Sequence, residues 1–372
     1  MKLKTYSGIL IILLVILSCI GSGCVSSSGK SAVNNVEMQT ITDGLGREVT
    51  VPVAPEKIIC QGPGALRYIC YLGAQDKVVG VEDIELRKDE NRRPYAIANP
   101  QFQNMPLIGE YRGNTDPEKI VAVDPDVIFW TYVQSADDAD ELQAKTGIPV
   151  IALNYGDLGV YRDDMYHSLR IMAEVMEKEE RGEEVIEFFD MTIEDLGSRT
   201  EDIPEEEKAS VYVGGIAYRG PHGFQSTEPS YPPFELINAK NVASSLGTEH
   251  ADVSKEAIIE WDPEIIFVDL STYQTTPSAV DELKTDPAYT SLTAVKNGEV
   301  YGVVPYNWYT TNHGSVLAAA YYSGEVIYPD RFQNIDAAEK ADEIYVFLFG
   351  EPAYEAMNSG FSAGFGQIEL NE

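Results

Sequence analysis

Basic residues are scarce in this chain. Only 27 Lys and Arg stand against 60 Asp and Glu, a formal net charge of -33 over 372 residues. A field of that sign opposes nucleic acid and anionic bilayer surfaces as partners, although a single pocket can still be locally basic. Histidine is scarcer still: His167, His222, His250 and His313 are the whole complement, scattered along the chain. No close pair or triplet supplies a histidine-rich site for a bare metal ion, so no metal site is expected. There is no C-x-x-C pair, no P-loop, no H-E-x-x-H and no G-x-G-x-x-G after a strand. An enzyme with a resident cofactor is therefore not expected, although a surface enzyme on the same scaffold is an alternative that fold alone does not remove.

Long apolar runs are also lacking. The run at residues 9–17, ILIILLVIL, is far short of the about 20 residues a stable membrane span needs. It follows Lys2 and Lys4 and leads through small residues to Gly-Ser-Gly-Cys24, the layout of an export signal. Residues 1–24 are expected to be a leader and residues 25–40, rich in Ser, Gly and Asn, a flexible tether. Cys24 is the candidate lipid-attachment residue, with Cys19 a second candidate. An uncleaved N-terminal anchor is the alternative, and both place the rest of the chain outside the membrane. Cys60 and Cys70 then remain in the folded part, read as buried thiols with a disulfide as the alternative.

The remainder has room for two ordinary domains. A hairpin is expected at residues 41–53, around Gly44 and Gly46. Short apolar strands then alternate with helices in two blocks, at residues 41–157 and 201–372, the second closing on a terminal helix. Between them, residues 158–200 contain no proline. Leu169, Met172, Val175 and Met176, then Val185, Phe188, Phe189 and Ile193, recur on one helical stripe. One long helix, or two nearly collinear ones with Gly182 as the soft point, is expected there. Residues 283–305 are read as a short helix and a second hairpin-like strand pair.

One pattern occurs twice. "PEKIVAVDPDVIF" in the first block and "KEAIIEWDPEIIF" in the second each run an acidic helix through an Asp-Pro joint into a buried strand. Glu118 and Glu256 occupy equivalent first-turn positions, which the helix dipole favours. Lys119 and Lys255 flank them as alternative local partners.

These pieces, in this order and behind a lipoprotein-like leader, resemble the ABC-transporter solute-binding proteins for iron complexes and cobalamin. "EKIICQGPGALRYICYLGAQDKVVGVED", "TGIPVIAL" and "LTAVKNGEVYGV" carry the resemblance together with the two repeat copies. It implies a class III solute-binding-protein fold: two Rossmann-like α/β lobes joined by one long α-helix, with solute held between the lobes. It further implies an extracytoplasmic monomer, without cofactor, that delivers its solute to an ABC permease dimer with its ATPases. Glu118 and Glu256 fall where the family docks on permease arginines.

A cleft solute is met by loops at strand ends and by helix N-termini. Gln61 and Gly62 open a turn that either offers N–H groups to an anion or is an ordinary tight turn. Tyr111 and Arg112, then Tyr132, follow in the first block. In the second, Tyr218, Arg219, His222 and Phe224 share a Gly/Pro-rich loop, and Trp308, Tyr309 and His313 follow an apolar strand. Arginine suits carboxylate or oxyanion, and the aromatic rings suit an organic chelate. The expected solute is a ferric chelate or related complex such as cobalamin, with molybdate or tungstate as the alternative.

Overall fold

The computed structural model describes residues 37–87, 92–111 and 114–370. Arg112, Cys24, Cys19 and the expected leader lie outside the described residues. The first strand overlaps the expected tether: β1 (Met38–Thr42) pairs antiparallel with β2 (Glu48–Pro52), giving the expected hairpin a slightly earlier start.

Six further strands build the first sheet: β3 (Ile58–Gln61), β4 (Val78–Glu82), β5 (Leu107–Glu110), β6 (Asn114–Thr115), β7 (Val127–Thr131) and β8 (Val150–Leu153). Their order is β6-β5-β4-β3-β7-β8, parallel except at the β5–β6 edge. The second lobe holds β9 (Ser210–Gly214), β10 (Ser226–Thr227), β11 (Lys240–Asn241), β12 (Ala251–Asp252), β13 (Ile265–Asp269), β14 (Val300–Val303) and β15 (Gly366–Gln367). Its main sheet runs β11-β9-β13-β14-β15, with only β15 antiparallel, while β10 and β12 form a separate two-stranded ladder. Residues 283–305 thus yield short helices and the single strand β14; its partner on one side is the distant β13, not the expected hairpin mate.

Alternation sets the packing. Val127 and Phe129 of β7 join the main core while Ile128 turns to the opposite layer. In β13, Phe267 joins the main core while Ile266 and Val268 face the other way. Parallel strands covered on both faces require such apolar runs.

The two repeat copies occupy equivalent joints. The first-copy helix, Pro117–Ala122, is capped by Asp116, and the second, Lys255–Trp261, by Ser254. Asp124 and Asp262 then take left-handed backbone before each proline. The following acid reaches back to the neighbouring strand's start: Asp126 Oδ2 accepts from the Glu56 and Lys57 amides at 2.9 Å each, and Glu264 Oε2 accepts from the Ser210 amide at 2.8 Å. Each carboxylate thereby sets the register of β7 on β3, or of β13 on β9.

The linker differs from expectation. Helix Arg162–Met176 ends at Glu177, whose φ of 51° turns the chain back into helix Glu179–Ser198. The two pack as an antiparallel hairpin: the Tyr166 hydroxyl donates to Asp190 at 2.7 Å, and Arg170 pairs with Glu183 at 2.6 Å. Collinear helices would hold Tyr166 and Asp190 about 36 Å apart at 1.5 Å per residue. Gly182 is a contact point, not the break; a Cβ there would lie 2.9 Å from the Ala173 Cβ. Of the two, the second helix leads into the second lobe. Arg181 at its start bonds the Tyr71 carbonyl, and Asp195 near its end accepts from Tyr321. Helix Ala337–Phe349, expected to be the last but followed by Tyr354–Phe361, also leans on the first lobe, with Phe349 stacked on Tyr71 at 5.3 Å. Among the described residues no helix is long and apolar enough to cross a membrane.

Candidate functional site

The strand order of the first sheet reverses between β4-β3 and β7, and the second sheet branches likewise about β9. In such sheets the crevice lies beyond the strand C-termini. Pro63 after β3, Thr131 and Tyr132 at the end of β7, and residues 217–221 after β9 meet there. Gln274 after β13 and residues 307–310 after β14 complete the cleft, which holds about 750 Å³. Among the described residues, none that lines it is Asp or Glu, although the chain carries 60 of them. Two arginines among the described residues line it from opposite lobes, Arg87 and Arg219. Arg87 lies 4.7 Å from the Tyr111 ring centre and pairs with Asp83 at 2.8 Å. Arg219 lies 5.2 Å from the Tyr218 ring centre.

Four cleft residues hold unusual backbone. Tyr132, Arg219, Tyr309 and Thr310 have φ of 59°, 57°, 53° and 61°, in the left-handed region that costs a residue with a Cβ about 1 kcal/mol or more. Such strain persists where surrounding contacts over-determine it. Here the Tyr132 hydroxyl meets Thr310 Oγ1 at 2.8 Å across the cleft, and the Tyr309 hydroxyl donates to Glu82 Oε2 at 2.5 Å. Below them Arg67, fully buried, donates to the carbonyls of Thr311 at 2.6 Å and Tyr309 at 3.2 Å and to the Tyr155 hydroxyl. The 309–311 loop of the second lobe is thus tied to the first.

Of the residues singled out in the sequence, Tyr111, Tyr132, Tyr218, Arg219, Trp308 and Tyr309 line the cleft. Gln61 and Gly62 do not. Gln61 is buried with both amide atoms unpartnered, and the Gly62 N–H is taken by Glu82 Oε1 at 3.2 Å. Phe224 is fully buried in the second-lobe core against Tyr212 and Tyr289, because its chain has by then turned inward to β10. His313 is fully buried too. Its Nε2 donates to the Gly156 carbonyl at 3.0 Å and its Nδ1 accepts from Tyr71 at 3.2 Å. Burial pushes this imidazole down to about 3, so it is a neutral packing residue between lobes and not a solute or metal ligand.

His222 sits behind the cleft wall, its Nε2 on the Tyr218 carbonyl at 2.7 Å. Beside it is His250, stacked on the Tyr218 ring at 4.2 Å and held below the usual imidazole range mainly by burial. Among the described residues no group of three metal-ligating side chains forms. Cys60 and Cys70 are both free and buried, and burial pushes both thiols up. Sequence reasoning missed Arg87, Trp130, Gln134, Gln274, Asn307 and Thr310 as lining residues. The available signal was position: each lies at or just past an apolar strand or its following turn, where side chains emerge from the sheet.

Glu118 and Glu256 lie away from the cleft, exposed on their helices. Their flanking lysines pair elsewhere, Lys119 with Asp116 at 2.9 Å and Lys255 with Asp286. Three residues beyond each glutamate an aliphatic side chain is exposed, Val121 at 48% and Ile259 at 37%.

A model of the periplasmic binding protein family matches residues 58–306. The molybdate-binding protein MolA of Haemophilus influenzae is 26% identical over 326 residues, 82% of this chain and 89% of its own. The Fe(3+)-citrate-binding protein YfmC of Bacillus subtilis is 27% identical over 316 residues, 82% of this chain and 93% of its own. Among solved structures, MolA bound to molybdate superimposes with a TM-score of 0.66 at 22% identity, covering 84% of this chain and 98% of that one. A periplasmic solute-binding protein from Veillonella parvula gives 0.69 at 19% identity, covering 87% and 97%. The chain therefore belongs to the periplasmic binding protein family, as a non-catalytic, extracytoplasmic solute-binding component of an ABC importer with the class III fold.

Proposed function

We propose that the protein captures an anionic metal chelate of the ferric siderophore or ferric polycarboxylate class in the interlobe cleft and hands it to an ABC permease. The carrying observation is the presence of Arg87 and Arg219 on opposite sides of the cleft, whose described lining holds no Asp or Glu. In a protein of charge -33, a cleft whose described lining carries arginines and no carboxylate admits an anion that the general field would repel. Tyr111, Trp130, Tyr132, Tyr218, Trp308 and Tyr309 add ring surface for an organic shell, and about 750 Å³ suits a drug-sized ligand. The similarity to a ferric-citrate-binding relative points the same way. None of the relatives described above is named for cobalamin, and two arginines favour an anion.

A second reading is molybdate or tungstate, favoured by the similarity to MolA. A bare oxyanion uses the arginines and leaves most of the aromatic surface unfilled. Native mass spectrometry with absorption spectroscopy of protein from its own source separates the two. A chelate gives ligand-to-metal colour and an organic mass; molybdate gives a small inorganic mass and no visible colour. A protein that binds neither in titration overturns both readings.

Delivery is assigned to Glu118 and Glu256, with Val121 and Ile259 as apolar contacts beside them. Two acid-plus-aliphatic patches, one per lobe, suit a receptor with two equivalent basic sockets, where charge pairing sets orientation. Cys24 is the proposed lipid anchor that keeps this monomer at the membrane surface.

A further inference from the structure

His222 and His250 are distant in sequence and meet through the Tyr218–Ser226 loop. His250 stacks on the Tyr218 ring and bonds Ser226 Oγ, while His222 turns back onto the Tyr218 carbonyl. The imidazole centres are 5.8 Å apart with planes at 50°.

Their hydrogen bonds fix both tautomers. A backbone carbonyl only accepts, so the contact from His222 Nε2 to Tyr218 O, at 2.7 Å, places the proton on Nε2. Ser226 has one hydroxyl proton, and Oγ donates it to the Ile216 carbonyl at 2.7 Å. The 2.7 Å contact between Ser226 Oγ and His250 Nε2 is therefore donated by the imidazole. Both Nδ1 atoms are left as lone-pair donors, and neither has a hydrogen-bond partner among the described residues.

We propose that His222 and His250 are the two protein ligands of a transition-metal site on the second-lobe rim of the cleft. It takes a borderline divalent cation of the copper, nickel or zinc class through both Nδ1 atoms. Water or a donor of the bound solute fills the remaining positions. Three features support this. Metal-bound histidines characteristically donate the other ring N–H to a carbonyl or hydroxyl, and both rings here already do. With metal–nitrogen bonds of about 2.0 Å, two imidazoles on one ion place their centres about 5–6 Å apart, which brackets the observed spacing. Tyr218 covers one face of His250, at 4.2 Å and 7°, and coordination occurs in the ring plane, not through the face. Because His222 also holds the Tyr218 carbonyl, a bound metal would brace the loop that presents Tyr218 and Arg219 to the cleft. The site is independent of the cargo reading and is tested with metal alone.

The experiment is titration of purified, chelator-stripped protein with Cu(II), read by electron paramagnetic resonance. The expected result is one saturable equivalent per chain with imidazole nitrogen coupling. His222→Gln and His250→Gln should each weaken it at least tenfold, while His167→Gln leaves it unchanged. Circular dichroism checks that the variants are folded. Absence of a saturable nitrogen-coupled signal in the parent overturns the proposal. So does undiminished binding by a folded His222→Gln/His250→Gln double variant.

Discussion

The Tyr309 hydroxyl and the Glu82 carboxylate meet at 2.5 Å across the two lobes, joining the loop after β14 to the end of β4. Glu82 is buried, and burial pushes its carboxyl up to about 7 despite donation from Tyr309 and from the Gly62 amide. Tyr309→Phe removes one of those donors and strands Glu82 Oε2. The expected loss is about 1–3 kcal/mol of stability, read from the midpoint of denaturant unfolding. An unchanged midpoint would show that the contact contributes nothing net.

Stability should fall as pH rises from about 4 to about 7. Glu82 and Asp269 are both buried, and burial lifts each carboxyl to about 7. Each therefore binds more proton folded than unfolded in that window. Its contribution is complete below the unfolded pKa and gone above the folded one, on the order of 3–4 kcal/mol per carboxyl as an upper figure. The general repulsion of a -33 chain acts in the same direction. Thermal midpoints between pH 5 and 8 check this, and Glu82→Gln with Asp269→Asn should flatten the slope. A midpoint that climbs with pH contradicts it.

Gly182→Ala separates a helical hairpin from a continuous helix. On a free helix face alanine would gain about 1 kcal/mol over glycine. In the hairpin its Cβ would lie 2.9 Å from the Ala173 Cβ. Both atoms are fixed to backbone, so overpacking should outweigh propensity, with a net loss of about 1–2 kcal/mol. Stabilisation by this substitution would argue against the close crossing.

Charge reversal at Glu118 and Glu256 together should abolish stimulation of the cognate transporter's ATPase while leaving chelate affinity nearly unchanged. Both side chains are exposed and remote from the cleft lining. Loss of solute affinity in the folded double variant would instead assign them to the pocket or the fold.

Arg219→Ala should weaken binding of an anionic chelate by about 10–100-fold, the scale of one charge-assisted hydrogen bond. The remaining affinity should depend less on salt. Equal binding of neutral and anionic chelates by the parent would remove the electrostatic basis of the assignment.

The repeat joints were legible because their signals are local. Asp116 and Ser254 cap helices from neighbouring positions, Pro125 and Pro263 forbid continuation, and the apolar runs that follow fit strands covered on both faces. Tyr132 and Arg219 were legible as loop residues just past strands. Nothing nearby in the sequence separated them from Phe224, five positions beyond Arg219 in the same polar stretch yet fully buried. His313 misled for the same reason: its aromatic cage of Tyr68, Tyr71, Tyr155 and Phe189 comes from distant parts of the chain.

Sequence by itself determined the two-lobe grammar and the acidic surface, since periodicity, capping and composition act within one element or over the whole chain; the transporter class came from the resemblance its ordered motifs carry. Tertiary structure alone decided which rings face solute, that the linker doubles back at Glu177, and that His222 stands beside His250. Burial and proximity depend on which distant segments pack together. The ladder that joins β10 to β12 is only two residue pairs long, too short to announce itself in either strand.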